Sequence, residues 1–334
     1  REMPWRATRD PYAIWVSEVM LQQTRVDTVR AYYGEFLRRF PTVEALAGAS
    51  QDAVLGAWSG LGYYRRARLL HAGAQDVAAR FDGVLPRDPA VLRSIPGIGP
   101  YTAGAIAAIA YDVPAPVVDG NVARVFSRMR AVVEEKQQPA TARHHWSMAD
   151  EVISHGSPRV IAQAMMELGA TVCVPTNPAC GGCPVRRQCA ALERGLVDKI
   201  PAPKRRAKSP ELRWDAAVVR WGKKLLLERR PDQGVLRGMW TLPLVERPRR
   251  RDARTYAKYL GVPVASVTPL AQEIKHVFTH RVWFVQPVLV KTSGRPRLGD
   301  GPTSRLWLSP GERPAEGGVP TLTEKILERL EWDL

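Results

Sequence analysis

A chain of 334 residues is longer than one hydrophobic core usually organises, and a hydrophobic content of 45% supplies material for two. The net charge of +16 and an isoelectric point of about 10.1 point to a polyanionic partner. No stretch approaches the length of a membrane span and no secretory leader is visible. Nucleic acid is therefore the expected partner, and residence in the cytoplasm or on the nucleoid is expected. The chain opens on Arg1, so its native start is expected upstream.

Asp10-Pro11, a capping carboxylate followed by a first-turn proline, predicts a helix running to about Thr24. Ile14, Glu18 and Leu21 fall at i, i+4 and i+7 in it, so a carboxylate shares the apolar stripe, where burial raises its pKa. Gln22-Gln23-Thr24 ends the helix with uncharged donors and acceptors suited to base edges. Helical patterns follow at 26–39, 43–46 and 51–58. Gly60-Leu61-Gly62-Tyr63-Tyr64-Arg65-Arg66 then joins flexible backbone to two aromatics and two cations, a combination that contacts phosphate and wedges or stacks against bases. Another helix is expected over 66–80.

Residues 88–124 hold the densest signal. Asp88-Pro89 caps a helix whose buried side carries Val91, Leu92 and Ile95, and Pro96-Gly97-Ile98-Gly99 stops it. The two glycines are expected to adopt backbone conformations closed to other residues and to leave amides uncovered where the next helix starts at Pro100 and Tyr101, an arrangement suited to phosphate. Ala103, Gly104, Ala107 and Ala110 keep that helix thin enough to pack closely. Asp119 follows in a polar turn. Helices over 120–130 and 140–155 come next, with His144 and His145 in no ligand spacing.

A helix over 158–172 leads into Cys173-x6-Cys180-x2-Cys183-x5-Cys189. All four cysteines of the chain lie in this loop, which in a reducing compartment indicates metal, zinc or an iron–sulfur cluster, rather than disulfides. Prolines interleaved with Lys204, Arg205, Arg206 and Lys208 mark a basic linker over 198–212. Strands at 215–220, 224–228, 276–278, 282–290 and 306–308, with helices at 253–260 and 322–330, make the remainder α+β.

These stretches together resemble the adenine DNA glycosylases of the MutY type, in the helix-hairpin-helix glycosylase superfamily. The resemblance spans nearly the whole chain and rests on WVSEVMLQQT at 15–24, GLGYYRRARLL at 60–70, PGIGPYTAGAI at 96–106, VVDGNVARV at 117–125 and the cysteine spacing. It implies a mainly helical catalytic region over 1–197, with the helix-hairpin-helix at 88–111 and the cluster loop at 173–189, and a Nudix-like reader over 213–334. It implies that Glu18 protonates a flipped adenine, that Asp119 stays ionised beside the developing cation, and that Tyr101 and Asn121 support them. Gln23 and Tyr63 match the intercalating residues beside 8-oxoguanine, Leu21, Gln22 and Thr24 shape that wall, and Gly97 and Gly99 meet the DNA backbone. Phe278-Thr279-His280 aligns with a Phe-Ser-His reader loop, Thr279 keeping the hydroxyl. Cys173, Cys180, Cys183 and Cys189 would hold a 4Fe-4S cluster. The implied partner is double-stranded DNA carrying adenine opposite 8-oxoguanine or guanine, bound by a monomer.

The chain departs from the pattern in two places. The loop after Cys173 reads Val-Pro-Thr-Asn-Pro-Ala where relatives are often basic, so its DNA contact is expected to be weaker or to be replaced by Arg186 and Arg187. The helix of a true Nudix hydrolase carries paired glutamates for magnesium; here the corresponding ERPRRRDARTYAKYL has none. Arg1 stands where some members have a catalytic-site arginine. The competing readings are an endonuclease III-like glycosylase and lyase, which needs an amine where Tyr101 stands, and a non-catalytic metal-dependent DNA-binding module, which has no use for Glu18 and Asp119.

Overall fold

The structure, a computed structural model, describes residues 1–135, 138–203, 209–247, 251–270, 272–294 and 304–331. It divides into two compact units, one of Arg1–Ala49 and Arg65–Arg206, the other of Ser50–Tyr64 and Ala207–Leu334. The centre of the expected basic linker, 204–208, lies outside the described residues, and Glu211 and Leu212 at its end already belong to a strand. No helix among the described residues is long and apolar enough to cross a membrane.

The helices in chain order are α1 (Pro11–Leu21), α2 (Val26–Arg39), α3 (Val43–Ala47), α4 (Gln51–Ala57), α5 (Arg65–Phe81), α6 (Pro89–Leu92) and α7 (Pro100–Tyr111). They continue with α8 (Gly120–Met129), α9 (Pro139–Ile153), α10 (Pro158–Thr171), α11 (Ala190–Glu193), α12 (Ala253–Leu260) and α13 (Thr321–Arg329). In the first unit α1 is central. Asp10 accepts from the Tyr12 amide at 3.0 Å and Pro11 fills the first turn, so the start is set as expected. Every residue from Tyr12 to Met20 is buried, and α1 packs on α2, α5 and α7. The helix stops at Leu21 and not at Thr24, because Gln22 is extended and Gln23 takes a left-handed backbone at φ 61°.

The hairpin between α6 and α7 buries Ile95 and Ile98 and leaves Pro96, Gly97, Gly99 and Pro100 exposed, so its crest carries bare backbone. Gly97 is required twice over: its φ is +82°, and a Cβ there would stand 2.8 Å from the Leu69 Cβ. Gly99 does not adopt the expected special conformation. It is extended, at φ −88° and ψ 179°, and a Cβ would meet open space. Any residue folds there, so what Gly99 leaves uncovered is surface. The thinness of α7 is used at Gly104, where a Cβ would collide with the carbonyl of Pro116, in the segment that delivers Asp119.

The second unit is an α+β structure with two sheets. One sheet has the order β5 (Leu244–Glu246), β1 (Glu211–Val218), β8 (Val282–Thr292), β6 (Val264–Pro269), with β7 (Ile274–Val277) also on β8. The β1–β8 pair is parallel and the other pairs are antiparallel. The other sheet runs β2 (Arg220–Trp221), β3 (Lys224–Arg229), β4 (Trp240–Thr241), with β9 (Arg305–Leu308) on β3. Strand alternation splits the core: Ala216, Val218, Leu225 and Leu227 face the α13 side with Ile326, while Ala217, Val219 and Leu226 face the α12 side with Tyr256 and Leu260. The strands β4, β5 and β6 carry no alternation long enough to read from sequence.

Residues 50–64 group with this unit although they lie inside the helical stretch. Ser59 Oγ donates to the Val319 carbonyl at 2.7 Å and accepts from its amide at 3.2 Å, and Asp52 pairs with Arg229 at 2.5 Å. Gly318 comes so close to Leu55 that a Cβ would stand 2.7 Å from its carbonyl oxygen. A seven-residue helix announces its apolar side in the sequence, but not which core will receive that side.

Candidate active site

Burying α1 on all sides takes Glu18 with it, to 4% exposure. Pro100 starts α7 so that Tyr101, one residue on, donates its hydroxyl to Glu18 Oε2 and also contacts Met166 Sδ at 3.4 Å. Burial is the largest influence on the Glu18 carboxyl and pushes it up to about 7; the Tyr101 hydroxyl opposes, the charge of Asp119 adds, and Arg6 opposes. Burial, then the charge of Glu18, drives the Tyr101 phenol well above its ordinary value, so it remains a donor.

Asp119 is the N-cap of α8. Its Oδ1 accepts from the amides of Asn121 at 2.9 Å and Val122 at 2.7 Å, and its Oδ2 from Asn121 Nδ2 at 2.9 Å. Asn121 Oδ1 in turn accepts from Arg124, whose guanidinium also reaches the carbonyls of Gly169 and Cys173, both at 2.7 Å. Gly169 has no room for a side chain, since a Cβ would lie 2.6 Å from that of Asn121. The carboxylate is therefore held by directed donors on a braced helix start.

Glu18, Tyr101, Asp119 and Asn121 line one cavity of about 560 Å³, together with Leu21, Gln22, Gln23 and Thr24. The sequence reading did not single out Arg6, Gln163, Met166 or Glu167, which line it too. Glu167 is clamped by Arg1, at 2.7 and 2.9 Å, and by Arg6 at 2.7 Å, and the Arg1 contact above all holds its carboxyl down at about 2. A lone carboxylate inside the apolar run Met165-Met166-Glu167-Leu168 was the available signal. The cavity thus sets a carboxyl poised near neutrality against Glu167, held as an anion by its arginines, and Asp119, gripped by directed donors, a division suited to protonating a leaving group beside a developing cation.

The other expected residues lie elsewhere. Gly97 and Gly99 form the exposed hairpin crest. In the second unit Tyr63 is 49% exposed with a left-handed backbone at φ 48°. The Phe278 amide donates to the Arg281 carbonyl at 2.9 Å, closing the β7–β8 turn. Phe278 is anchored edge-on against His276 and Trp283, and Thr279 and His280 stand exposed at the tip. On the α12 side of this unit two buried carboxylates are already matched. Asp215 is bound by Arg247, Arg251 and the Tyr256 hydroxyl, and Glu228 by Arg305 and the Tyr259 hydroxyl.

The four cysteines, all half-buried, line a second small cavity in the first unit. Cys173 follows α10 and Cys189 caps α11. Arg128 Nη1 stands 3.4 Å from Cys173 Sγ. Burial, then the neighbouring Cys173 and Cys189, push the Cys180 thiol up. Among the described residues no group of three or more His, Cys, Asp or Glu is arranged to hold a metal ion. The donor set itself, four thiols with no imidazole or carboxylate among the described residues of the cavity wall, suits a thiophilic group such as zinc or an iron–sulfur cluster.

Comparison with known proteins agrees with both units. Residues 16–151 match the HhH-GPD superfamily base excision DNA repair protein family, and residues 215–329 match the NUDIX domain. The adenine DNA glycosylase of Mus musculus is 33% identical over 390 residues, covering 99% of this chain and 75% of the mouse protein. That of Homo sapiens is 33% identical over 372 residues, covering 93% and 68%. Among solved structures, a thermostable thymine-DNA glycosylase aligns with a TM-score of 0.53 at 26% identity, over 58% of this chain and 89% of its own. A non-covalent endonuclease III–DNA complex shares the fold at a TM-score of 0.50 and 21% identity, over 58% and 89%. With a helix-hairpin-helix unit, a Nudix-like unit and relatives of this extent, the chain belongs to the adenine DNA glycosylase family, enzymes that act on DNA and excise mispaired adenine.

Proposed function

We propose that the chain removes adenine opposite 8-oxoguanine or guanine, with Glu18 as general acid and Asp119 as the anion that stabilises the sugar cation. The observation that carries this reading is the buried Glu18 carboxyl, raised to about 7, in one cavity with a hydrogen-bonded Asp119. Flipping the base costs a few kcal/mol, least at a mispair. Glu18 then protonates adenine as the glycosidic bond breaks, the negative Asp119 faces the oxocarbenium ion, and Glu18, now basic, activates water. Tyr101 and Asn121 hold the two carboxyls in place. The residues lining the cavity among those described include no lysine, which supports hydrolysis without a Schiff base and without strand cleavage. Release of free adenine from duplexes carrying it opposite 8-oxoguanine, guanine or thymine tests the reading. Excision from the first two and not the third is expected, and equal release from all three would refute it.

Leu21, Gln22, Gln23 and Thr24 form the wall that meets the mispair, Tyr63 wedges the duplex, and the crest at Gly97 and Gly99 meets a phosphate. The left-handed backbone at Gln23 and Tyr63 supports this, since side chains kept in that conformation cluster at functional sites. Thr279 and His280 at the tip of the β7–β8 turn read the 8-oxoguanine. The unit reads and does not hydrolyse, because Asp215 and Glu228 already spend their charge on arginines. Thr279→Ala is expected to erode the preference for 8-oxoguanine over guanine by about 0.5–1.5 kcal/mol, one hydroxyl partner, with excision at saturation unchanged. Competition between the two mispaired duplexes measures it.

Cys173, Cys180, Cys183 and Cys189 would hold a 4Fe-4S cluster with a structural and DNA-positioning role. The gathering of all four thiols in the wall of one small cavity supports this reading. Protein purified without oxygen is expected to be brown, with roughly four iron and four sulfide per chain; stoichiometric zinc in its place contradicts the assignment.

A further inference from the structure

The last carbonyls of a helix have no partner within it. At the end of α1 they find one in Arg66, a residue of α5 that is 9% exposed. Its Nη1 donates to the carbonyls of Val19 at 2.9 Å, of Met20 at 2.8 Å, and of Gln22, while Nη2 donates to Thr24 Oγ1 at 3.0 Å. One planar fork thus ties the helix end to both sides of Gln23, and its positive charge meets the negative end of the helix. Gln23, between the two tied residues, is the one held at φ 61°. A side chain with a Cβ stays in that region only where its surroundings impose it. Arg66 is not among the residues lining the cavity, whereas Leu21 to Thr24 all are. It reaches the site through the carbonyls and the Thr24 hydroxyl that it grips.

We infer that Arg66 is a positioning residue that locks the Gln22–Thr24 turn in the shape that presents Gln23 to the mispair. The inference rests on reading that turn as the recognition wall. Lysine keeps the charge but offers a compact ammonium in place of a fork, so it cannot grip Thr24 and the helix end together. With the fork gone the turn must be ordered on binding, at an expected loss of about tenfold in affinity.

The test is a cycle of Arg66→Lys, Gln23→Ala and the double variant, read as dissociation constants for mispaired and matched duplexes and as single-turnover rate against pH. A milder lesion, Thr24→Ala, removes the Nη2 acceptor together with one hydroxyl of the wall and serves if the lysine protein does not fold. Expected are an about tenfold loss of mispair affinity in Arg66→Lys, an unmoved pH midpoint, and no further loss in the double variant. Additive losses, equal weakening on mispaired and matched duplexes, or a shifted midpoint overturn the inference. If Gln23→Ala weakens mispair binding while Arg66→Lys and Thr24→Ala do not, the inference alone fails. If Gln23→Ala has no effect, the recognition wall fails and the inference falls with it.

Discussion

Glu18→Gln is expected to slow adenine excision by at least about 10²-fold while the mispaired duplex stays bound, because the amide keeps the shape of the acid and cannot deliver its proton. Single-turnover release and a binding titration separate the two effects. The same change has a signature in stability. The Glu18 carboxyl is raised from an ordinary 4.5 to about 7. Its folded state therefore retains a proton that the unfolded chain gives up. The stability this confers is complete below pH 4.5 and is lost as pH rises through about 7. Above that range the parent is disfavoured, relative to low pH, by at most about 3 kcal/mol, and glutamine has no such loss. Thermal melts at pH 8 are expected to place the variant above the parent. A variant that excises like the parent, or binds no DNA, contradicts the role given to Glu18.

Asp119→Asn is expected to lower excision by about 10²–10³-fold, the scale of losing a preorganised electrostatic partner of the transition state. Asparagine is itself a good N-cap, so the start of α8 and the bonds to the Asn121 and Val122 amides stand. The fold and DNA affinity are expected to persist. Because the charge of Asp119 helps raise Glu18, the pH midpoint of any residual activity should move down. An unchanged rate, or loss of DNA binding together with activity, sinks this assignment.

Much of this arrangement was legible from local chemistry. Asp10-Pro11 and Asp88-Pro89 cap helices as expected, and Gly97 and Gly104 occupy places where a Cβ would collide. The burial of Glu18 followed from its position among apolar residues. What escaped depended on partners distant in sequence. Glu167 is drawn into the cavity by Arg1 and Arg6, more than 160 positions away. The end of α1 is set by Arg66 across the core, and the allegiance of residues 50–64 by Arg229 and Val319. The special backbone expected at Gly99 was an overreach from its neighbour: two glycines in one turn read alike, while only one has a positive φ.

The most direct test of the assigned chemistry is the single-turnover rate of adenine release at saturating protein between about pH 5 and pH 9. An acid at Glu18 predicts a limb that descends with rising pH, with its midpoint near 7, and that is absent from Glu18→Gln. A flat profile, or a rate that climbs through the same interval, would contradict it.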